Sequence, residues 1–392
     1  MKYQNQTHGH LPIEAYTSQE WFDREQEELF GRVWQFGGFV EDVADAGDFV
    51  TVQAGPHPLF VVRGPDGELR AFHNICRHRG TQLLRTVGKS KKSIICPYHH
   101  WTYSLEGELK NIPSRESEFP DVNMSKLCLH KASVETWLGM FFVHPEPDAK
   151  PLTDWFAGVT EHIGPHRPEE LVEYTDGHTR HEINANWKIV VENYIDGYHL
   201  THLHSDTLYM YDHAKQQSGF IGPHFLFYEP LVKDYLESLE KQSPLPLIDH
   251  GTRDDLGAYV PMLFPNLGIG ADESTWSIFH VIPLSAGRTI VETRTKVMPA
   301  SDWQYLNQGI SSWWNWKGKS RAKFDGGEGD PLSSGDFMAE DVYACEQQFK
   351  AMHSPKFSVG AMAKHLEQSV LTFQQTVSDF VATQKDSTID ES

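Results

Sequence analysis

Apolar positions change their period three times along the chain. From Ser18 onward, Trp21, Phe22, Leu29, Phe30, Val33 and Trp34 recur at helical spacing, which predicts an amphipathic helix with Ser18 as its N-cap. Between about 37 and 146 the texture becomes short β-like runs, as at 49–52, 59–63 and 140–143. The turns Gly64-Pro65-Asp66-Gly67 and Glu106-Gly107-Glu108 carry hairpin chemistry. A small antiparallel β domain is expected there, bounded by the proline-rich stretch 145–151. Beyond it the pattern predicts a strand at 173–183, a helix at about 187–204 and an irregular stretch to about 259. Strands at 276–283 and 289–298 follow, then helices at 336–352 and 359–382. The chain is therefore expected to be α+β, its larger half an antiparallel sheet with helices packed on it. The expected divisions are a helical segment at 1–40 packing on the larger domain, the β domain at 41–150, the larger domain at 151–384 and a flexible tail at 385–392.

Charge and composition narrow the function classes. The 392 residues carry a formal net charge of −20, which argues against nucleic acid or an anionic membrane as partner. The basic residues Arg77, Arg79, Arg85 and Lys89 to Lys92 form a local exception. Four cysteines (Cys76, Cys96, Cys128 and Cys345) are too few for a disulfide scaffold of this length. The polar start, at 1–11, shows no signal peptide, and no apolar run approaches a membrane span. A reduced, cytoplasmic protein is expected.

Two constellations carry chemistry. The first is Cys76-Arg77-His78 and Cys96-Pro97-Tyr98-His99, with seventeen residues between them. Two Cys and two His can hold a structural zinc, but zinc fingers usually place both Cys before both His. One Cys and one His in each of two repeated loops suits a [2Fe–2S] cluster, with thiolates on one iron and imidazoles on the other. Cys128, in a strand-like run, and Cys345, on a helix, read as small buried apolar groups.

The second constellation starts at Asn186-Trp187-Lys188 and runs through Glu192-Asn193 to Asp196, His199 and His204. On a helix, Asp196 and His199 share a face. His204 follows five residues later, past an expected helix break, with His202 as its competitor. A redox iron held by two His also needs a carboxylate and open positions. The best source is Glu340-Asp341 on the late helix.

With Arg79-Gly80 after the first pair and Trp101 after the second, the chain resembles the Rieske-type non-haem iron oxygenases, catalytic subunit, over nearly its whole length. His100 departs from that family's pattern, which has a glycine or another small residue there. The resemblance implies a β Rieske domain before a START-like catalytic domain. It implies Cys76, His78, Cys96 and His99 as cluster ligands, and His199, His204 and Asp341 as ligands of a mononuclear Fe(II), with Glu340 second to Asp341. It makes Asp196 the acid that bonds a cluster histidine across a subunit boundary, in a homotrimer or a multiple of one. Electrons would come from NAD(P)H through a separate reductase, directly or through a ferredoxin. O2 and a small molecule, either aromatic or of the choline, betaine or carnitine type, would be the substrates. The competing class is an electron-transfer or ligand-binding Rieske protein without oxygenase activity. Pocket-lining aromatics are sought between Ser205 and Pro265, among them Tyr209, Tyr211, Phe220, Phe225, Phe227, Tyr228 and Tyr259.

Overall fold

Leu59-Phe60-Val61-Val62 is apolar at four successive positions, which in a strand means that both faces are covered. All four are fully buried. Leu59 and Val61 join Val43, Ala71, Phe141 and Val143 on one side, while Phe60 and Val62 join Phe72, Ile94, Trp101 and Tyr103 on the other. The strand that carries them, His57–Arg63, lies near the middle of a seven-stranded sheet. Its order is Gln35–Phe39, Met140–His144, Lys131–Trp137, Leu69–His73, His57–Arg63, Phe49–Ala54 and Val87–Gly88, with antiparallel pairing throughout. A second sheet of Ile94–Ile95, Thr102–Tyr103 and Leu109–Asn111 contributes to the second cluster.

The computed structural model describes residues 11–89, 91–249, 256–309 and 329–382. The expected tail at 385–392, and all but the last residue of the polar start at 1–11, lie outside the described residues. By contact the chain divides into Asp23–Ala157 and a larger unit of Met1–Phe22 with Gly158–Ser392. The expected segment 1–40 is thus split. Gln35–Phe39 pairs with Met140–His144 and belongs to the smaller sheet, and only the part through Phe22 goes with the larger unit. The helix expected from Ser18 is also interrupted. Ser18 ends a short helix, Glu14–Thr17, and its Oγ accepts the Trp21 N–H at the start of Gln19–Glu25, which runs on into a π turn, Gln26–Phe30.

In the larger unit the sheet runs Val172–Ile183, Arg288–Val297, Thr275–Ser285, Leu267–Ala271, Gly257–Tyr259, His224–Pro230 and Gln217–Ile221, with Met262–Leu263 pairing off this path. The hairpin 217–230 and the helix Lys233–Gln242 fall where the sequence pattern predicts an irregular stretch. The hairpin's signal is the turn at Gly222-Pro223, where Gly222 takes the left-handed conformation that glycine adopts without strain. The helix expected over 187–204 is Trp187–Ile195 and stops nine residues early. Asp196 is extended, and its Oδ1 accepts the Tyr198 N–H at 2.7 Å, a local bond that competes with helix continuation. The last helix begins at Gln368 rather than 359. Cys128 lies just past the 3-10 turn Met124–Leu127, not in a strand.

The helix Trp187–Ile195 packs against Phe337–Met352 and Gln368–Ala382. Its Glu192 is the meeting point of three distant segments. The Tyr16 hydroxyl donates to Glu192 Oε1 at 2.6 Å and Gln374 Nε2 donates to the same oxygen at 3.1 Å. Burial pushes the Glu192 carboxyl up to about 7, against the lowering pull of those two bonds and of Lys188. An unfolded glutamate ionises near 4.5. The folded chain therefore holds a proton that the unfolded chain has lost, and stability falls as pH rises from about 4.5 through about 7. Above about pH 7, Glu192→Gln removes this cost, on the order of 3 kcal/mol. Its melting temperature relative to wild type should be higher at pH 8 than at pH 5, and equal differences at the two pH values would contradict the account.

Candidate metal centres

The smaller unit presents two loops with the same backbone closure. Cys76 N–H donates to Thr81 O at 2.9 Å and Gly80 N–H to Cys76 O at 3.0 Å. In the second loop, Cys96 N–H donates to Trp101 O at 2.9 Å and His100 N–H to Cys96 O at 3.0 Å. The fifth residue of each loop is left-handed, Gly80 at φ +77 and His100 at φ +56. A Cβ at Gly80 would meet nothing within 4 Å, so backbone strain rather than space governs the residue choice there. Histidine is one of the few side chains that enters this region at modest cost.

The loops bring like ligands together. Cys76 and Cys96 are both buried and their thiols interact, while the His78 and His99 rings lie 4.7 Å apart. Both Nδ1 atoms are buried without a hydrogen-bond partner, as donor atoms awaiting a metal would be. Trp101 stacks on His78 at 4.7 Å, and the Tyr103 hydroxyl lies 3.4 Å from Cys76 Sγ while accepting the Arg77 N–H. Burial pushes the Cys76 thiol up, and burial together with His99 and Arg79 holds His78 down. Two thiols and two neutral imidazoles fit a [2Fe–2S] cluster.

In the larger unit, helix and loop ends converge. Asn186 caps Trp187–Ile195 through its Oδ1 and uses its Nδ2 on Tyr16 O and Ala286 O. Beyond that helix, His199 and His204 come from turns. Asp336 caps Phe337–Met352 and sets Glu340 and Asp341 in its early turns. The ligand atoms of His199, His204 and Asp341 all lie within 4.8 Å of one another. Asp341 Oδ1 is 3.7 Å from His199 Nε2 and 2.9 Å from His204 Nε2.

The opposite ring nitrogens are held by two other carboxylates. His199 Nδ1 donates to Asp196 Oδ2 at 3.3 Å, and His204 Nδ1 to Glu340 Oε2 at 2.8 Å. Thr207 Oγ1 steadies that Glu340 oxygen at 3.1 Å. Each imidazole therefore turns Nε2 inward and Nδ1 to an acid, the arrangement that orients metal-binding histidines. His202 is not part of the group. The sequence makes Glu340 a rival to Asp341, whereas adjacent helical positions point in different directions and here divide into an inner and an outer carboxylate. Burial alone would lower the His204 pKa, but Asp341 and Glu340 outweigh it and raise it to about 9. A cation in the site takes the place of that proton.

The three inner residues border a cavity of about 570 Å³, the size of a small-molecule site. Tyr211 and Phe227 line it, as expected of the 205–265 stretch, joined by Phe279 from the sheet. Other aromatics of that stretch pack on each other, Phe220 on Phe225 at 5.4 Å and Tyr228 on Tyr259 at 4.8 Å, while Tyr209 is exposed.

Comparison with known proteins gives the family. Residues 171–383, more than half the chain, match the ring hydroxylating alpha subunit (catalytic domain), and residues 33–134 match the Rieske [2Fe-2S] domain. The chain belongs to the family of ring-hydroxylating alpha subunits with a Rieske domain. Among its relatives are biphenyl 2,3-dioxygenase subunit alpha of Rhodococcus jostii, 36% identical over 49% of this chain and 42% of that one, and the carnitine monooxygenase oxygenase subunit of Escherichia coli, 33% identical over 48% and 50%. The matched stretches thus span half or less of those relatives. A quaternary ammonium Rieske monooxygenase shares the fold at TM-score 0.75 and 21% identity over 95% of both chains. Naphthalene 1,2-dioxygenase from Rhodococcus sp. shares it at 0.71 and 20%, also over 95% of both. The family carries a [2Fe–2S] cluster and a mononuclear iron, and the donor sets of the two sites suit them.

The left-handed His100 gives a test of the loop geometry. His100→Gly should keep the cluster and stabilise the smaller unit by about 1 kcal/mol, since glycine enters that region freely. His100→Val should cost more than that and lower cluster occupancy, read from labile sulfide and the visible spectrum. Equal stability of all three proteins would show that the loop does not need this conformation.

Proposed function

We propose that the chain is the oxygenase subunit of a Rieske non-haem iron enzyme that hydroxylates or oxidatively dealkylates a small organic molecule with O2. The observation that carries this reading is the meeting of His199 Nε2, His204 Nε2 and Asp341 Oδ1 at the wall of a 570 Å³ cavity. Two imidazoles and one carboxylate leave coordination positions free, which suits Fe(II) that must also meet O2 and substrate. When bound, the iron supplies O2 activation and the cluster delivers single electrons to it. The chain's own residues do the rest. Cys76, His78, Cys96 and His99 hold the cluster, Asp196 and Glu340 fix the two iron-binding imidazoles, and the cavity walls orient the substrate. Relatives named for biphenyl, carnitine and glycine betaine put aromatic and quaternary ammonium compounds within the substrate range. An NAD(P)H-dependent reductase, directly or through a ferredoxin, is the electron source.

Asp196 is given a second task in this reading. Its carboxylate already accepts from Tyr198 N–H and His199 Nδ1, and its remaining lone pairs can accept a cluster imidazole N–H from a neighbouring chain in a trimer. For one relative of this fold, a quaternary ammonium Rieske monooxygenase, the solved structure gave insights into inter-subunit electron transfer.

Asp341→Ala should abolish product formation and remove one iron per chain while the cluster spectrum stays intact. Glu340→Gln should lower iron affinity by roughly 10–100-fold, because it loosens an orienting partner and not a ligand. The reverse ranking of the two variants would assign the ligand to Glu340. Asp196→Asn also loosens the hold on His199, so it is assayed with Fe(II) in excess; with both centres then loaded and the cluster reducible, reoxidation of the cluster by O2 and substrate should still slow at least tenfold, in a protein that sediments as a trimer or a multiple of one. Normal turnover in this variant, or full activity of a monomer, would remove the inter-subunit route.

A further inference from the structure

We propose that Glu229, held by His213, is the specificity-determining carboxylate of the cavity, and that it takes a substrate bearing a protonated or quaternary nitrogen. The word substrate here rests on the oxygenase reading above, but the binding preference can be measured without it. On the strand His224–Pro230, Phe227 and Glu229 stand two residues apart and both line the cavity. Glu229 is paired in register with Ala258, which lines it too. An apolar side chain would suit this position, yet a glutamate occupies it at 3% exposure. A carboxylate so far from water is unfavourable unless a donor or a cation compensates.

One donor is present. His213 Nδ1 donates to Glu229 Oε2 at 2.7 Å, which fixes the carboxylate but leaves it with an acceptor oxygen, Oε1, that takes no hydrogen bond among the described residues. Two other acids on the cavity wall are engaged by their own backbone. Asp272 accepts from Ser274 N and from Thr275 N and Oγ1, and Asp336 accepts from Met338 N. A second group also awaits a partner. Thr293 lines the cavity at 9% exposure, and its hydroxyl has no hydrogen-bond partner. A ligand cation beside Glu229, with Phe227 and Tyr211 offering ring faces, would satisfy that oxygen, while Thr293, four strands away in the sheet order, could meet only a remote part of the ligand. The chain's net charge of −20 raises the local concentration of cations further.

The test compares choline with its neutral carbon isostere, 3,3-dimethylbutan-1-ol, by calorimetry on the loaded, full-length protein under anaerobic conditions. Choline should bind at least tenfold more tightly, and equal or inverted affinities would overturn the proposal. In Glu229→Gln the preference should collapse to within twofold, with the alcohol's own affinity unchanged; a retained preference would assign the recognition elsewhere. Glu229→Asp keeps the charge and should keep a preference above threefold, which secures the reading should Glu229→Gln fail to fold. Its loss in a folded Asp variant would also count against the proposal. Cation binding without any turnover after reductant and O2 are supplied would refute the oxygenase reading and leave this one standing. Turnover of neutral aromatics with no cation preference would do the opposite.

Discussion

An imidazole has two nitrogens, and a metal centre works only if the right one faces inward. In the larger unit this choice is made by two carboxylates that need not touch the metal. Asp196 and Glu340 take the Nδ1–H of His199 and His204, so both Nε2 atoms face Asp341. The rest of the unit serves this alignment. The early end of Trp187–Ile195 frees Asp196 to turn back on His199, and the Asp336 cap starts the second helix so that Glu340 and Asp341 arrive on different sides of His204. Cys345, buried where the two helices meet, has its Sγ 4.0 Å from Ile189 O.

The smaller unit solves its own alignment with backbone instead of carboxylates. Each loop closes on itself through the same two backbone hydrogen bonds, so the Cα positions that carry the thiol and the imidazole are set by main-chain geometry. Trp101 and Tyr103 then cover the result, one by stacking on His78 and the other by reaching Cys76 Sγ and Arg77 N. The two centres thus differ in what fixes them. Side-chain charge orients one, and loop closure orients the other.

Much of this geometry is legible in the sequence because the paired donor residues are local. Cys76 with His78, Cys96 with His99 and His199 with His204 are separated by a few residues each, and short spacing constrains geometry strongly. The β texture of 37–146 is also readable, since the run 59–62 is apolar on both faces. What is not legible depends on tertiary contacts. Periodicity extends the helix nine residues too far because it cannot see the Asp196–Tyr198 bond that ends it. The hairpin 217–230 reads as irregular because the apolar runs flanking its Gly222-Pro223 turn, Phe220-Ile221 and Phe225 to Tyr228, are too short to show a clear period. Glu340 and Asp341 cannot be ranked until the direction of each side chain is known. The His100 departure gains a reason only once its φ proves to match that of Gly80.

The knot of hydrogen bonds at Glu192 bears on the order in which the chain can assemble during synthesis. Leu11 N–H reaches Gln374 Oε1, and Tyr16 and Gln374 both bond Glu192, so the larger unit joins residues more than 350 positions apart. The smaller unit needs only the continuous stretch Asp23–Ala157. As the chain emerges from the ribosome, that stretch has every strand of its sheet before the first helix of the iron site exists. Until residue 374 emerges, Tyr16 and Glu192 lack their third partner, and the buried acid lacks one of the donors that offset its burial. The cluster-bearing unit can therefore mature first, while the iron-bearing unit cannot complete this knot until residue 374 has emerged.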